Sequence, residues 1–215
     1  MANEIVYVLT NEAMPGLVKI GRTNDLDGRM RELYKTGVPL PYECHYAVAV
    51  DDTAAAATLE KKLHNLFAEN RINKNREFFR VAPERVVIAM SIGNFAPVNR
   101  SLADLEEDGG DIRKADIEAV EKEEKRREKL KLQNIGILPG SILVFTRDEA
   151  ITCTTLENGK VLFNDQETSL SAAAREILNT NYGRNRQAVN GTRYWIFEGE
   201  TLDERRERLE LEKDD

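Results

Sequence analysis

The sequence is poor in cysteine and lacks long apolar runs, and each shortage excludes a class of protein. Its 215 residues include two cysteines, Cys44 and Cys153, which lie far apart and in no metal-type spacing. This argues against a disulfide framework or a cysteine zinc site and fits a reducing compartment. No apolar run approaches the ~20 residues of a membrane span, so we expect no membrane insertion. The N-terminal MANEIVYVL has no basic segment before its apolar residues, so we expect a cytoplasmic protein without a signal peptide.

A surplus of positive charge is also missing, because the formal net charge is -7. A nonspecific nucleic-acid binder would carry a basic surplus. The charge is unevenly spread: residues 1–100 hold 13 Lys and Arg against 12 Asp and Glu, whereas residues 101–215 hold 18 against 26. A local basic cleft therefore remains compatible with the first 100 residues.

The first 100 residues predict a small antiparallel sheet flanked by helices. Residues 4–10 are β-branched and aromatic, as in strands, and Pro15-Gly16 marks a turn into a second strand at 17–22. Apolar residues at helical spacing, preceded by capping residues, predict the helices. The other predicted elements are a helix at 24–34, a strand at 42–52, a helix at 52–71, a strand at 77–82 and a helix at 83–95.

A charged segment at 101–135 follows, with a loop and then a helix over 112–133. Ile117 and Val120 fit a coiled-coil heptad, but Glu124 and Arg127 occupy the next seam positions. The broken seam predicts a solvated connecting helix rather than a zipper.

Residues 136–215 predict a second α+β domain. Three short strands span 140–147, 151–156 and 159–165, with Asn158-Gly159 as a hairpin turn. A helix at 169–181, a strand at 191–199 and a terminal helix follow, the last with a capping box of Thr201 and Glu204. We therefore expect an α+β protein with domains at 1–100 and 136–215, joined by a helical linker at 101–135.

The first domain offers each group that phosphodiester cleavage needs: a base, a cation for the phosphate and a carboxylate for a divalent metal. Tyr7 and Lys19 lie on the two arms of the hairpin, and a nearby lysine would lower the pKa of the phenol. Arg29 can bind phosphate through two donors. Glu60 and His64 project from one face of a helix. Taken singly, each residue is ordinary: Tyr7 as a half-buried sheet residue, and Glu60 with His64 as a solvated pair.

The order of these pieces resembles the GIY-YIG nuclease superfamily. IVYVL, VKIGRT, DLDGRM, TLEKKLH and REFF follow one another over residues 4–82, as in its phage-protein branch with K-I-G-R-T and L-E-x-x-L-H motifs. The resemblance implies metal-dependent hydrolysis of DNA, with Tyr7 as the base, Arg29 on the phosphate and Glu60 on one Mg²⁺ or Mn²⁺. Glu77 is a second candidate ligand. Arg22, His64 and Arg76 are candidate DNA-binding residues.

The chain departs from the wider superfamily pattern at two positions. Lys19 replaces the second motif tyrosine, and Ile5 replaces the glycine of the first motif. Some active restriction-type members carry a lysine there, so catalysis remains compatible with the change. Many relatives of this branch are described only as DNA-binding, which keeps a non-catalytic reading open.

The second domain resembles the RAMA module, which is associated with restriction systems and adenine methylation. The S-x-S-A-A-A helix, the N-G-x-R-x-W strand and the L-x-x-R ending carry the resemblance over 136–207. It implies DNA recognition, with Asn190, Arg193 and Trp195 on a base-reading surface. The alternative for Trp195 is a place in the core.

Together the two domains predict a metal-dependent DNA endonuclease of restriction or phage-defence type, directed to modified DNA by its second domain. One site per chain means that a double-strand break needs a homodimer or two sequential nicks. The first alternative is a catalytically inactive DNA-binding or regulatory protein with the same fold. The second is an interaction scaffold built on the charged helix, which would have no affinity for DNA.

Overall fold

The computed structural model describes residues 4–108, 112–127, 131–183 and 189–214. Two compact units divide the chain, at residues 1–123 and 124–215. Each unit combines one antiparallel sheet with helices, which confirms the expected α+β class. Among the described residues, no helix has both the length and the apolar character that crossing a membrane requires.

The first unit begins with the predicted hairpin and contains every helix and strand expected over the first 100 residues. Its elements are β1 Glu4–Thr10, β2 Leu17–Thr23, α1 Leu26–Leu33, β3 Glu43–Val50, α2 Thr53–Leu66, β4 Phe78–Arg80, α3 Pro83–Ser91, β5 Ala96–Pro97 and α4 Leu102–Glu107. Helix α5 Lys114–Arg127 begins in this unit and runs past its last residue, Glu123. The strands form one sheet in the order β4-β2-β1-β3-β5.

Side chains alternate between the two faces of this sheet, so each face has its own core. Val6 and Ile20 belong to the face that packs on α2 and α3. Tyr7 and Leu9 belong to the other face, where α1 contributes Met30. The helices start where the sequence predicts, because the Asp25 and Asp52 carboxylates accept hydrogen bonds from backbone N–H groups of the first turns of α1 and α2.

The segment expected to be a solvated linker packs instead on the core of the first unit. Leu105 on α4 and Val120 on α5 are buried among the residues around Tyr7 and Met30. The Tyr34 hydroxyl donates a 2.8 Å hydrogen bond to Asp116 on α5. The apolar residues of α5 are too few for a coiled coil, but they are enough to pack one side of the helix on the core of the first unit. Positions 109–111 and 128–130 of the expected loop and helix lie outside the described residues.

The second unit has a six-stranded sheet in the order β11-β10-β6-β7-β8-β9. The Asn158-Gly159 hairpin, the helix that begins after Ser169 and the capping box of Thr201 with Glu204 are confirmed. The elements are β6 Ile142–Phe145, β7 Asp148–Thr155, β8 Val161–Phe163, β9 Gln166–Thr168, α6 Leu170–Tyr182, β10 Trp195–Phe197, β11 Glu200–Thr201 and α7 Leu202–Asp214.

The strand expected at 191–199 is wrong at its start, where Gly191–Arg193 form a 3₁₀ turn. The Asn190 side chain accepts from the backbone N–H of Thr192 and caps this turn. A Cβ on Gly191 would lie 2.5 Å from the backbone nitrogen of Ser171, so the chain passes against the start of α6 there. The strand is thereby confined to Trp195–Phe197.

Replacing Val120 with alanine tests whether α5 belongs to the folded first unit. Val120 is 2% exposed, so truncation leaves a cavity and should lower the free energy of unfolding by about 2 kcal/mol. Urea unfolding followed by circular dichroism measures this change. The matched control is Glu118→Ala, which alters an exposed residue of the same helix. Equal stability of the two variants would restore the solvated-linker interpretation.

Candidate active site

The predicted site residues of the first unit converge on the outer edge of β2, where β4 ends. Strands β2 and β4 pair only as far as Lys19 and Phe78. One residue further, the Ile20 N–H donates to the Glu77 carbonyl at 3.2 Å. The Ile20 carbonyl lies 3.0 Å from His64 Nε2. Because a carbonyl only accepts, Nε2 of His64 is the donor of this hydrogen bond. This edge therefore holds α2 and the Glu77 loop against β2.

Tyr7 projects from β1 across β2 and lies over Gly21, its partner in the strand register. A Cβ at Gly21 would lie 2.6 Å from the Tyr7 hydroxyl, so only glycine leaves room for the ring. Tyr7 is 1% exposed. Its hydroxyl accepts a 3.3 Å hydrogen bond from Arg29 Nε on α1.

The environment of Tyr7 favours the neutral phenol. Burial raises the pKa of Tyr7 above 10.0, and the hydrogen bond and charge of Arg29 lower it only in part. The charges of Glu77 and Glu60 raise this pKa further. The expectation that Lys19 lowers the pKa of Tyr7 is therefore wrong, because Lys19 forms an ion pair with Glu77 instead.

Lys19 pairs with Glu77 and not with the phenol. Its ammonium lies 2.6 Å from Glu77 Oε2 and 5.3 Å from the Phe78 ring centroid, and the Lys19 side chain is 6% exposed. Burial raises the pKa of Glu77, but the hydrogen bond and charge of Lys19 outweigh it and leave this pKa below its usual value. Glu77 is thus ionised at neutral pH and neutralises Lys19 at the sheet edge.

Glu60 lies on α2 and pairs with Arg22, whose Nε is 3.2 Å from Glu60 Oε2. The Arg22 guanidinium also lies 3.5 Å from Glu4 Oε2. Sequence reasoning missed Glu4, although the hairpin register gives a signal: Arg22 stands opposite Val6, and Glu4 lies two residues before Val6 on the same face. In the described part of the chain, Glu60 and Glu77 belong to no group of three potential metal ligands within 4.8 Å.

Arg29 and Arg76 are the other cations predicted for the site. Arg29 donates to Tyr7 through Nε and to the exposed Glu32 carboxylate through Nη1, at 2.6 Å. Glu32 is a second contact that sequence reasoning missed, although it lies three residues from Arg29 on one helical face. Arg76 is exposed on the loop before Glu77, and its backbone carbonyl accepts from Arg71.

The second unit does not present its three predicted residues on a surface. Trp195 is 0% exposed, and its indole N–H donates to the Leu170 carbonyl at 3.0 Å. Asn190 and Arg193 are also buried, and Arg193 Nε lies 3.6 Å from the Asp203 carboxylate. The expectation of a base-reading surface made from Asn190, Arg193 and Trp195 is therefore wrong, because these side chains are buried, and the alternative of a core position for Trp195 is confirmed.

Residues 4–91 match the family model of the T5orf172 domain. This is a phage-associated, nuclease-related domain, and the match indicates a nuclease or DNA-binding role with DNA as the partner. Comparison with curated proteins and with solved structures finds no match. The matched region contains Tyr7, Lys19, Arg29, Glu60 and Glu77, which are the residues gathered around the β2 edge.

Replacing Gly21 with alanine should displace the Tyr7 ring and lower the free energy of unfolding by about 1–3 kcal/mol. The ring is packed on all sides, so it cannot move aside at low cost. Thermal unfolding measures the loss. Gly37→Ala is the control, because a Cβ there meets nothing within 4 Å. In a Tyr7→Leu background the Gly21→Ala change should cost much less, and an undiminished cost would contradict the close contact.

Proposed function

We propose that residues 4–91 form a DNA endonuclease of the GIY-YIG type that acts with one divalent cation, Mg²⁺ or Mn²⁺. One observation carries this proposal: a phenol, a guanidinium and two carboxylates from separate elements are electrostatically coupled at one sheet edge. The pKa of Tyr7 responds to Arg29, Glu77 and Glu60. The T5orf172 match over the same residues supports DNA as the substrate.

Tyr7 acts as the base in this proposal, and Arg29 holds the phosphate. Proton abstraction from water requires the phenolate of Tyr7, which the Arg29 hydrogen bond favours. The guanidinium of Arg29 can release the exposed Glu32 and accept a phosphate in its place, because bidentate phosphate binding suits its planar donors. Lys19 remains a candidate catalytic residue, and its charge is neutralised by Glu77 until that carboxylate is released.

Glu60 would hold the cation, with Glu77 as a second candidate ligand. A single carboxylate fits Mg²⁺, which keeps several waters and binds through one or two carboxylates together with substrate phosphate. When bound, the cation supplies charge stabilisation at the phosphate oxygens. The Glu60 side chain is 18% exposed, so solvent ions can reach it.

Replacing Glu60 with alanine tests the nuclease proposal directly. We expect plasmid nicking in Mg²⁺ or Mn²⁺ by the unaltered chain and a loss of about 100-fold or more in the variant. Glu69→Ala is the matched control, because Glu69 is an exposed carboxylate just after α2. Gel analysis of nicked plasmid over time gives the rates. Equal rates for the two variants would show that Glu60 is not a ligand needed for cleavage.

The pH dependence of cleavage tests the role of Tyr7. A base is active when deprotonated, and burial keeps the pKa of Tyr7 above 10.0. The rate should therefore rise with pH through the whole range from 7 to about 10, roughly tenfold per unit. Initial rates in overlapping buffers measure the profile. A plateau that begins near pH 8 would assign the base to another group, with His64 as the first residue to replace.

A DNA-binding module without catalysis is the second candidate function. The internal pairing of the site favours it: Lys19 is bound to Glu77, and Glu60 is bound to Arg22. A fully buried Tyr7 is consistent with a structural role as well. DNA binding that persists in Glu60→Ala, without cleavage by either protein, would select this candidate.

We further propose that the second unit directs the enzyme to modified DNA. The resemblance of residues 136–207 to the RAMA module supports this role, although the buried Asn190, Arg193 and Trp195 cannot make the contacts. Measuring the nicking rate on methylated and on unmethylated plasmid tests this role. A difference between the two plasmids supports selection by modification, and equal rates contradict it.

A further inference from the structure

The Arg22 guanidinium lies between two carboxylates at the end of the hairpin. Its Nε is 3.2 Å from Glu60 Oε2, and its Nη1 is 3.5 Å from Glu4 Oε2. Glu4 is itself held by the Thr53 hydroxyl, which donates to its Oε1 at 3.1 Å. Within the described ranges, Arg22 is the only cation paired with Glu60. The guanidinium of Arg22 thus pairs with the Glu60 carboxylate, which is the group proposed to bind a metal.

The Arg22 guanidinium and a divalent cation would share the Glu60 carboxylate, so each lowers the affinity of Glu60 for the other. The Glu60 side chain is 18% exposed and that of Arg22 is 35% exposed, so the pair lies within reach of dissolved ions. A divalent cation that binds Glu60 is repelled by the charge of Arg22, which already attracts the same carboxylate through Oε2. The ion pair is partly exposed and therefore weak enough for such exchange.

We propose that Arg22 competes with the divalent cation for Glu60 and thereby sets the cation affinity of the site. This inference rests on the proposed function, in which Glu60 is the cation ligand. Arg22 is a positioning residue here, because it acts through Glu60. Glu4 keeps the displaced guanidinium close to the site, where its donors suit a DNA phosphate. Binding of the cation to Glu60 then also releases the Arg22 guanidinium to bind a phosphate.

Binding of Mn²⁺ without DNA is the direct test. The concentration of free Mn²⁺ is measured by electron paramagnetic resonance for the unaltered chain and for Arg22→Met. The variant should bind Mn²⁺ about fivefold more tightly, the factor expected for loss of a partly exposed ion pair. Arg22→Lys should give an intermediate affinity, because a lysine keeps the charge but cannot span both carboxylates as a guanidinium does.

The matched control is Lys61→Met. Lys61 neighbours Glu60 on α2, is exposed and has no carboxylate partner in the described part of the chain. Its loss removes the same long-range charge without freeing Glu60, so the affinity should change by no more than about twofold because salt screens exposed charges. In a Glu60→Gln background, Arg22→Met should have no effect on Mn²⁺ affinity.

A second readout follows Arg22 itself. In ¹⁵N-resolved spectra, the Nε–H signal of Arg22, assigned by its absence in Arg22→Lys, should shift during a titration with Mg²⁺. The midpoint should match that of metal binding. A signal that stays fixed while metal binds would overturn the competition, since Arg22 would not have left Glu60.

The outcomes separate this inference from the proposed function. Tighter Mn²⁺ binding by Arg22→Met and not by Lys61→Met supports the inference. Unchanged Mn²⁺ affinity in Arg22→Met, with metal-dependent DNA nicking by the unaltered chain, overturns the inference and leaves the nuclease standing. Absence of both Mn²⁺ binding and nicking overturns both. Arg22→Lys keeps the test valid even if Arg22→Met folds poorly.

Discussion

The close packing of the Tyr7 ring against the bare backbone of Gly21 is the constraint on which the site depends. It fixes the phenol across two strands, and from there its hydroxyl meets Arg29 on the first helix. The same strand register leaves the outer edge of β2 free beyond Lys19, so that the Glu77 loop and His64 can bind the Ile20 backbone. A hairpin with a side chain at position 21 would have to give up this arrangement.

Charge compensation is the second theme of the first unit. Two ion pairs lie at the sheet edge: Lys19 with Glu77, and Arg22 with Glu60. Such pairing stabilises the edge without substrate but also occupies the groups that chemistry requires. A nuclease built this way must exchange internal partners for phosphate and cation, whereas a pure DNA-binding protein can keep them. Whether cation and phosphate can replace these internal ion pairs decides between a nuclease and a DNA-binding protein.

Sequence reasoning recovered the local features and missed the pairings. The Asp25 and Asp52 caps follow from local rules that operate within a few residues. The partner of Lys19 depends on a loop 58 residues further along the chain, so hairpin geometry alone assigned it wrongly to Tyr7. For Trp195 the sequence left both a base-reading surface and a core position open, because an aromatic strand residue looks alike from sequence whether it faces solvent or a core, and the core position is the one confirmed. Val120 shows that a few apolar residues suffice to anchor a charged helix.

The burial of Trp195 has a practical consequence for work on this protein. It is the chain's single tryptophan, and it lies in the core of the second unit, edge-on to Phe145 with ring centroids 5.5 Å apart. Its fluorescence therefore reports on the core of the second unit, whereas the first unit contains tyrosines but no tryptophan. Comparing tryptophan emission with a probe of overall helicity would reveal whether the two halves of the chain melt as one or as independent bodies.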